Sequence, residues 1–460
     1  MYIPSSSYLS PGDNAWQLTA ATLVGLMSIP GLAVLYGGVV KRKWAVSSAM
    51  MALYAFGAVL VVWVLAGFSM GFGHPWIGNL VGQPLPVLGA LQEEGRAAIP
   101  LLKGLMPAFR LPASSLIYFQ FVFAAITPII LAGAVFGRMN LKAWMIFVPL
   151  WSLLVYSVNA FTIWGGGWLA QLGVVDYSGG YVIHVAAGIS GFVAALVVGP
   201  RTLQDQRDFK PNNMLLAVMG AGILWLGWNG FNGGDPYFAN ADAAAAVLNT
   251  NLATAMAMLT WFFLEMGLNR KLSIVGAING MICGLVAITP AAGYVDGFGA
   301  ILIGVAGSAL PWFTMNRMSG VWPFRKADDT LGVIHTHYLA GAIGGVMVGL
   351  VANPAMLVYL GAHGSAGASV SGLLYGNPHQ LLVQVLGLAV VTAYDGLATW
   401  GILKLIALFV PLRMSERELE GGDRAIFDEE VFELHHPIPV PEPLPPAGGR
   451  GKHSAPALGG

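Results

Sequence analysis

His184 and His337 are the residues on which this sequence could hang chemistry. They lie in two stretches of matching type and spacing, DYSGGYVIHVAAGISG at 176–191 and DTLGVIHTHYLAGAIG at 329–344. Asp176, Gly179, His184, Ala187, Gly188 and Gly191 correspond to Asp329, Gly332, His337, Ala340, Gly341 and Gly344. A neutral imidazole donates from one nitrogen and accepts at the other, and burial keeps it uncharged. Two such rings in an apolar passage would hold a small hydrogen-bonding solute without adding charge. Both copies run on into apolar, glycine-rich sequence long enough to cross a bilayer. Eight helical residues rise about 12 Å against a hydrocarbon core about 30 Å thick. Each histidine therefore falls a little short of mid-membrane, and helices entering from opposite faces would bring the rings together. His335, two residues before His337, points well round the helix and is the rival for the second position.

Other ionisable groups have a plainer alternative. Asp176 and Asp329 each open a helix, where a carboxylate caps free backbone N–H groups. Asp176 also faces outside, where it could help attract a cation. Asp235, in GWNGFNGGDPY, is either a solvated or capping loop residue or a cation-recruiting one. With 14 Trp, 14 Tyr and 22 Phe in the chain, spacing alone does not choose among Trp164, Phe123 and Phe231. Glu265 and Lys404 fall near the opposite surface, and His74, His363, His379, His435, His436 and His453 lie in loops or tail. Cys283, the single cysteine, excludes an intrachain disulfide and a cysteine metal cage. Two histidines alone lack the further ligands of catalytic zinc, so an intramembrane metalloenzyme would need aspartates to complete its site. No Walker loop, GxSxG elbow or HExxH is present, so ATP-driven transport, serine hydrolysis and zinc proteolysis have no support.

The elements that must carry these residues are membrane spans. Of 460 residues, 56% are hydrophobic and 10% charged, against about 25% charged in soluble domains. This is an all-α polytopic membrane protein. The 61 glycines suit close helix approach, which lipid burial alone does not drive. The opening MYIPSSSYLSPGDNAW lacks the basic region of a signal peptide, so the first apolar segment is expected to be retained. Eleven apolar runs are long enough to span, near 15–39, 44–72, 114–136, 143–166, 179–199, 214–234, 243–268, 273–292, 297–315, 331–352 and 379–410. Alternate connections hold 13 basic residues, from Lys41 to Lys326, while the other set holds only Arg96, Lys103 and Arg110. The positive-inside rule then places the N-terminus outside and the C-terminus inside. His184 and His337 fall on spans of opposite direction. Spans 1–5 (about 15–199) and 6–10 (about 214–352) form an inverted repeat, with the extra helix 379–410 outside it, an arrangement that puts a binding site at the midplane. Residues 1–411 make the transmembrane domain. The outside loops 73–113 and 353–378 are long, and the second reads as flexible. Residues 412–460 make a cytoplasmic tail, charged at first with a short helix or docked segment, then proline-rich and disordered.

Four long motifs resemble the ammonium transporter family, which is related to the Rhesus glycoproteins: GDNAWQLTAATLVGLMSIPGLAVLYGG at 12–38, DYSGGYVIHVAAGISG at 176–191, GWNGFNGG at 227–234 and DDTLGVIHTHYLAGAIGG at 328–345. The likeness runs from residue 13 to about 411. It implies a homotrimer with one pore per subunit, and His184 and His337 as the pore's twin histidines. By the same likeness Phe123 and Phe231 resemble the stacked phenyl gate, Trp164 the wall of the outer ammonium site, and Asp176 its support. Asp235 stands where many bacterial members have serine, and with the HTH run at 335–337 this resembles the branch that includes the plant type-2 transporters. A PII-type regulatory protein would meet the cytoplasmic face, although the tail lacks the family's usual HGE-containing end. The implied activity is ammonium transport, with ammonium recruited outside and deprotonated on passage, with no cofactor and no enzymatic step. The alternatives are a neutral gas channel of Rhesus type and an ammonium sensor. Sensors carry appended signalling domains, which about fifty residues after span eleven do not supply.

Overall fold

The structure, a computed structural model, describes residues 7–359 and 368–429. Among these, ten helices are long and apolar enough to cross a membrane: Pro11–Val39, Arg42–Phe72, Ala113–Ala132, Leu141–Gln171, Gly180–Val198, Met214–Gly233, Ala241–Asn269, Gly297–Arg317, Ile334–Val351 and Pro378–Ile406. An eleventh apolar helix, Ile274–Ile288, has only 15 residues. At 1.5 Å per residue it rises about 22 Å, less than a hydrocarbon core. The apolar run continues to residue 292, but the chain turns at Thr289–Pro290. There the Thr289 and Pro290 carbonyls accept from Ser178 and Tyr177 N–H at 3.1 Å each. The short helix thereby meets the segment that leads into His184.

Burial decides which helices are central. In Ala113–Ala132, 94% of the most apolar window is inside, whereas Arg42–Phe72 and Pro378–Ile406 bury 28% of theirs. The former is apolar all round because it is surrounded by protein. The latter two keep apolar residues such as Leu53, Leu397 and Trp400 on the outer surface, which lipid or a neighbouring subunit would cover. Several spans contain a π-helical turn, and one of these turns carries each histidine: Gly180–Val185 and Ile334–Leu339. Such turns widen the helix locally and gather at functional sites.

Charge collects at one end, where the basic loops lie. Asp205 accepts from Lys41 at 3.0 Å and Lys43 at 3.1 Å, and Arg201 forks onto Asp328. Arg138, fully buried, ties this end together by donating to the carbonyls of Gly199, Ala134 and Asp328 and to the Thr330 hydroxyl. The segment after the last long helix folds back onto the same end. Met414 N–H donates to Arg138 O, and the Asp423 carboxylate accepts from the Val46 and Ser47 amides, capping Ala45–Val62. The proline-rich stretch expected to be disordered, and His363, His435, His436 and His453, lie outside the described residues. The 73–113 loop is more ordered than its composition suggests, with a two-stranded pairing of Pro75–Ile77 with Val81–Gly82 and a short helix Ala90–Glu94.

Candidate functional site

Both histidine segments are built the same way. Asp176 receives four backbone N–H groups, from Gly179 and Gly180 on Oδ1 and from Tyr181 and Val182 on Oδ2, at 2.6–3.0 Å. Asp329 receives Gly332 N–H at 3.1 Å and Ile334 N–H at 2.8 Å. In each case a glycine follows at positive φ, Gly179 at +114° and Gly332 at +73°, because the chain must reverse sharply between the carboxylate and the helix it caps. Asp176 is 4% exposed and both its oxygens accept backbone N–H groups, the geometry of a cap. Its backbone carbonyl also accepts from the Trp164 indole N–H at 2.7 Å, which fixes that ring.

The imidazoles of His184 and His337 meet, with Nδ1 to Nδ1 at 3.2 Å and ring centroids 5.3 Å apart. Two nitrogens share that contact, so in the neutral pair one ring donates and the other accepts, and the rings are opposite tautomers. His184 is fully buried and its Nε2 has no partner. His337 is 8% exposed and lines a cavity of about 390 Å³ at the basic end of the molecule. His335 lies elsewhere on the turn, with Nδ1 2.9 Å from the Thr314 hydroxyl.

Aromatic rings cover the pair on the other side. Trp228 stacks on His184 at 5.4 Å and on Phe231 at 4.8 Å. Phe231 lies 4.3 Å from Phe123, both fully buried, and Phe123 meets Trp164 edge-on at 6.2 Å. Trp164, Phe123, Phe231, His184 and His337 thus form one continuous row of contacting rings. Trp228 was missed at the sequence level. It sits three residues before Phe231, on the same helix face, and that spacing was the available signal. Asp235, expected in a loop, is 4% exposed and its Oδ2 has no partner, which excludes the solvated reading. Glu265 is an internal brace, accepting from Trp261 Nε1 and from Ser273 N–H and hydroxyl. Among the described residues no group of three or more His, Cys, Asp or Glu could hold a metal.

Residues 15–432 match the family model described as Ammonium Transporter Family. The chain is 50% identical to "Ammonium transporter 2" of Arabidopsis thaliana, over 93% of this chain and 89% of that protein. It is 48% identical to "Ammonium transporter 3 member 3" of Oryza sativa subsp. japonica, over 94% and 92%. The crystal structure of Candida albicans Mep2 superimposes with a TM-score of 0.77 at 30% identity, covering 89% of this chain and 88% of that one.

Proposed function

Because the chain belongs to the ammonium transporter family, we propose that it carries ammonium across a cell membrane through a pore passing the His184–His337 pair. It is a multi-pass membrane protein. The observation that carries the pore reading is the 3.2 Å contact of two buried imidazoles between an aromatic lid and a cavity.

Ammonium is recruited at the outer end by the π faces of Trp164, Phe123 and Phe231, a cation over a ring gaining about 0.5–2 kcal/mol. The unpartnered Asp235 oxygen adds attraction, and Asp176 holds Trp164 and the His184 helix in place. The close pair Phe123–Phe231 leaves no room for a hydration shell. A bare cation at mid-membrane costs at least about 2.5–3.5 kcal/mol, so the solute crosses the dry section as ammonia, hydrogen-bonded by the imidazoles. The pair relays the released proton. Potassium has no proton to release and is held out.

The finer architecture follows the same reading: eleven spans, with Ile274–Ile288 the eighth, N-terminus outside and C-terminus inside. Repeats of about 15–199 and 214–352 are inverted, helix 379–410 stands apart, and 412–460 forms the cytoplasmic tail. The charge asymmetry of the loops and the like construction of the two histidine segments support it. Assembly as a homotrimer and docking of a PII-type protein on the cytoplasmic face rest on family membership.

The test is charge movement on ammonium pulses in proteoliposomes holding the full chain, compared with His184→Ala and His337→Ala. Both variants are expected to lower the current at least about tenfold. Unchanged transport in both would remove the pore role, and ammonia flux without charge would point to a neutral gas channel.

A further inference from the structure

The cavity at the basic end holds a third imidazole that the histidine pair does not need. His335 lines it together with His337, Gly332 and Phe324. Its Nδ1 lies 2.9 Å from Thr314 Oγ1, and that hydroxyl donates to the Pro311 carbonyl at 3.1 Å. A hydroxyl has one proton. With that proton on Pro311, the Thr314 oxygen can only accept from His335. Both bonds coexist in one tautomer alone: the His335 proton is on Nδ1, and Nε2 keeps its lone pair.

That lone pair has no partner among the described residues. The neighbour of Nε2 in the ring, Cδ2, would lie 3.8 Å from a Cβ placed on Gly332, and both residues line the cavity. Phe324 packs against the ring at 4.7 Å and 43°, so an aromatic wall stands beside the acceptor. One nitrogen fixes the ring on Thr314, and the residue lines the same cavity as His337.

We propose that His335 is an inner-mouth binding residue for the transported solute, its Nε2 accepting one N–H of ammonia or ammonium between the histidine pair and the cavity. This rests on the pore reading above. A small N–H donor such as methylammonium meets the same acceptor, whereas an alkali cation has no N–H to give. Thr314 is the positioning residue, since its hydroxyl holds the tautomer.

The experiment measures ammonium transport in both directions in proteoliposomes of known orientation, with methylammonium as a second probe, for the full chain, His335→Leu, Thr314→Val and Thr314→Ser. One hydrogen bond is worth about two- to tenfold in affinity. His335→Leu is expected to raise the half-saturating concentration by that factor at the cavity face only. Thr314→Val should move it part of the way, and Thr314→Ser should leave it alone. An unchanged value at the cavity face, or an equal rise at both faces, overturns the proposal. Should His335→Leu fail to yield a monodisperse protein, the contrast between Thr314→Val and Thr314→Ser decides alone, and no contrast overturns it. His337→Ala runs beside these. Impaired transport there with no effect at His335 sinks only the inner-mouth site, whereas unaltered transport there sinks the pore reading itself.

Discussion

Gly341 lies so close to Gly180 that a Cβ on it would sit 2.7 Å from the Gly180 carbonyl oxygen and 3.1 Å from the His184 Cβ. The reverse contact is made by Gly188, where a Cβ would lie 2.5 Å from the backbone nitrogen of Tyr338, the residue after His337. The two histidine helices therefore touch backbone to backbone, and that contact sets the distance between the rings.

Gly341→Ala is expected to separate His184 from His337. Overpacking of this kind costs about 1–3 kcal/mol. Ammonium-driven current should fall at least about tenfold, with a lower unfolding temperature in detergent. A control at Gly222, where a Cβ would meet nothing within 4 Å, should leave both unchanged. Wild-type current in Gly341→Ala would show that the approach does not govern the pair.

Asp235 is buried with one oxygen unpartnered, next to Ser178, whose hydroxyl also reaches the Phe231 carbonyl. Asp235→Asn keeps the shape and removes the ionisable carboxyl. A hydrogen bond is worth about 0.5–1.5 kcal/mol, so the half-saturating ammonium concentration should rise about two- to tenfold. The measurement is uptake from the outer face, and an unaltered value would take Asp235 out of recruitment.

Asp328 gives a pH dependence to the basic end. Burial by itself would raise its carboxyl, but hydrogen bonds from the Arg201 side chain and amide, with the Arg201 and Arg138 charges, hold it below its ordinary value. A folded value below the unfolded one means stability that is present at neutral pH. It is lost as pH falls from about 4 through the folded value. Thermal unfolding in detergent should show that loss, and Asp328→Asn should be less stable at neutral pH and flatter below it. An equal acid slope in wild type and variant would sink this assignment.

Hydropathy alone placed all eleven apolar runs within a few residues of helices seen, since an apolar helix in lipid must be long and uncharged wherever it sits. The eleventh run, near 273–292, agrees as closely with Ile274–Ile288; its helix stops just before Pro290, where the chain pairs with Ser178 and Tyr177. The repeated Asp-to-His spacing was also legible, because capping and helical rise are local. Asp395 was passed over. It is a fully buried carboxylate in the last long helix, held by the Asn159 amide 236 residues away.

What sequence determined by itself was the set of elements and the depth of each histidine along its own helix. Both follow from distances measured along one chain direction. Only the tertiary structure decided that the two rings approach to 3.2 Å, that Trp228 joins the aromatic stack, and that Asp235 is buried with an unpartnered oxygen. Those outcomes depend on how far each helix is rotated and how closely its glycines let the next one approach, and such contacts join residues far apart in the chain.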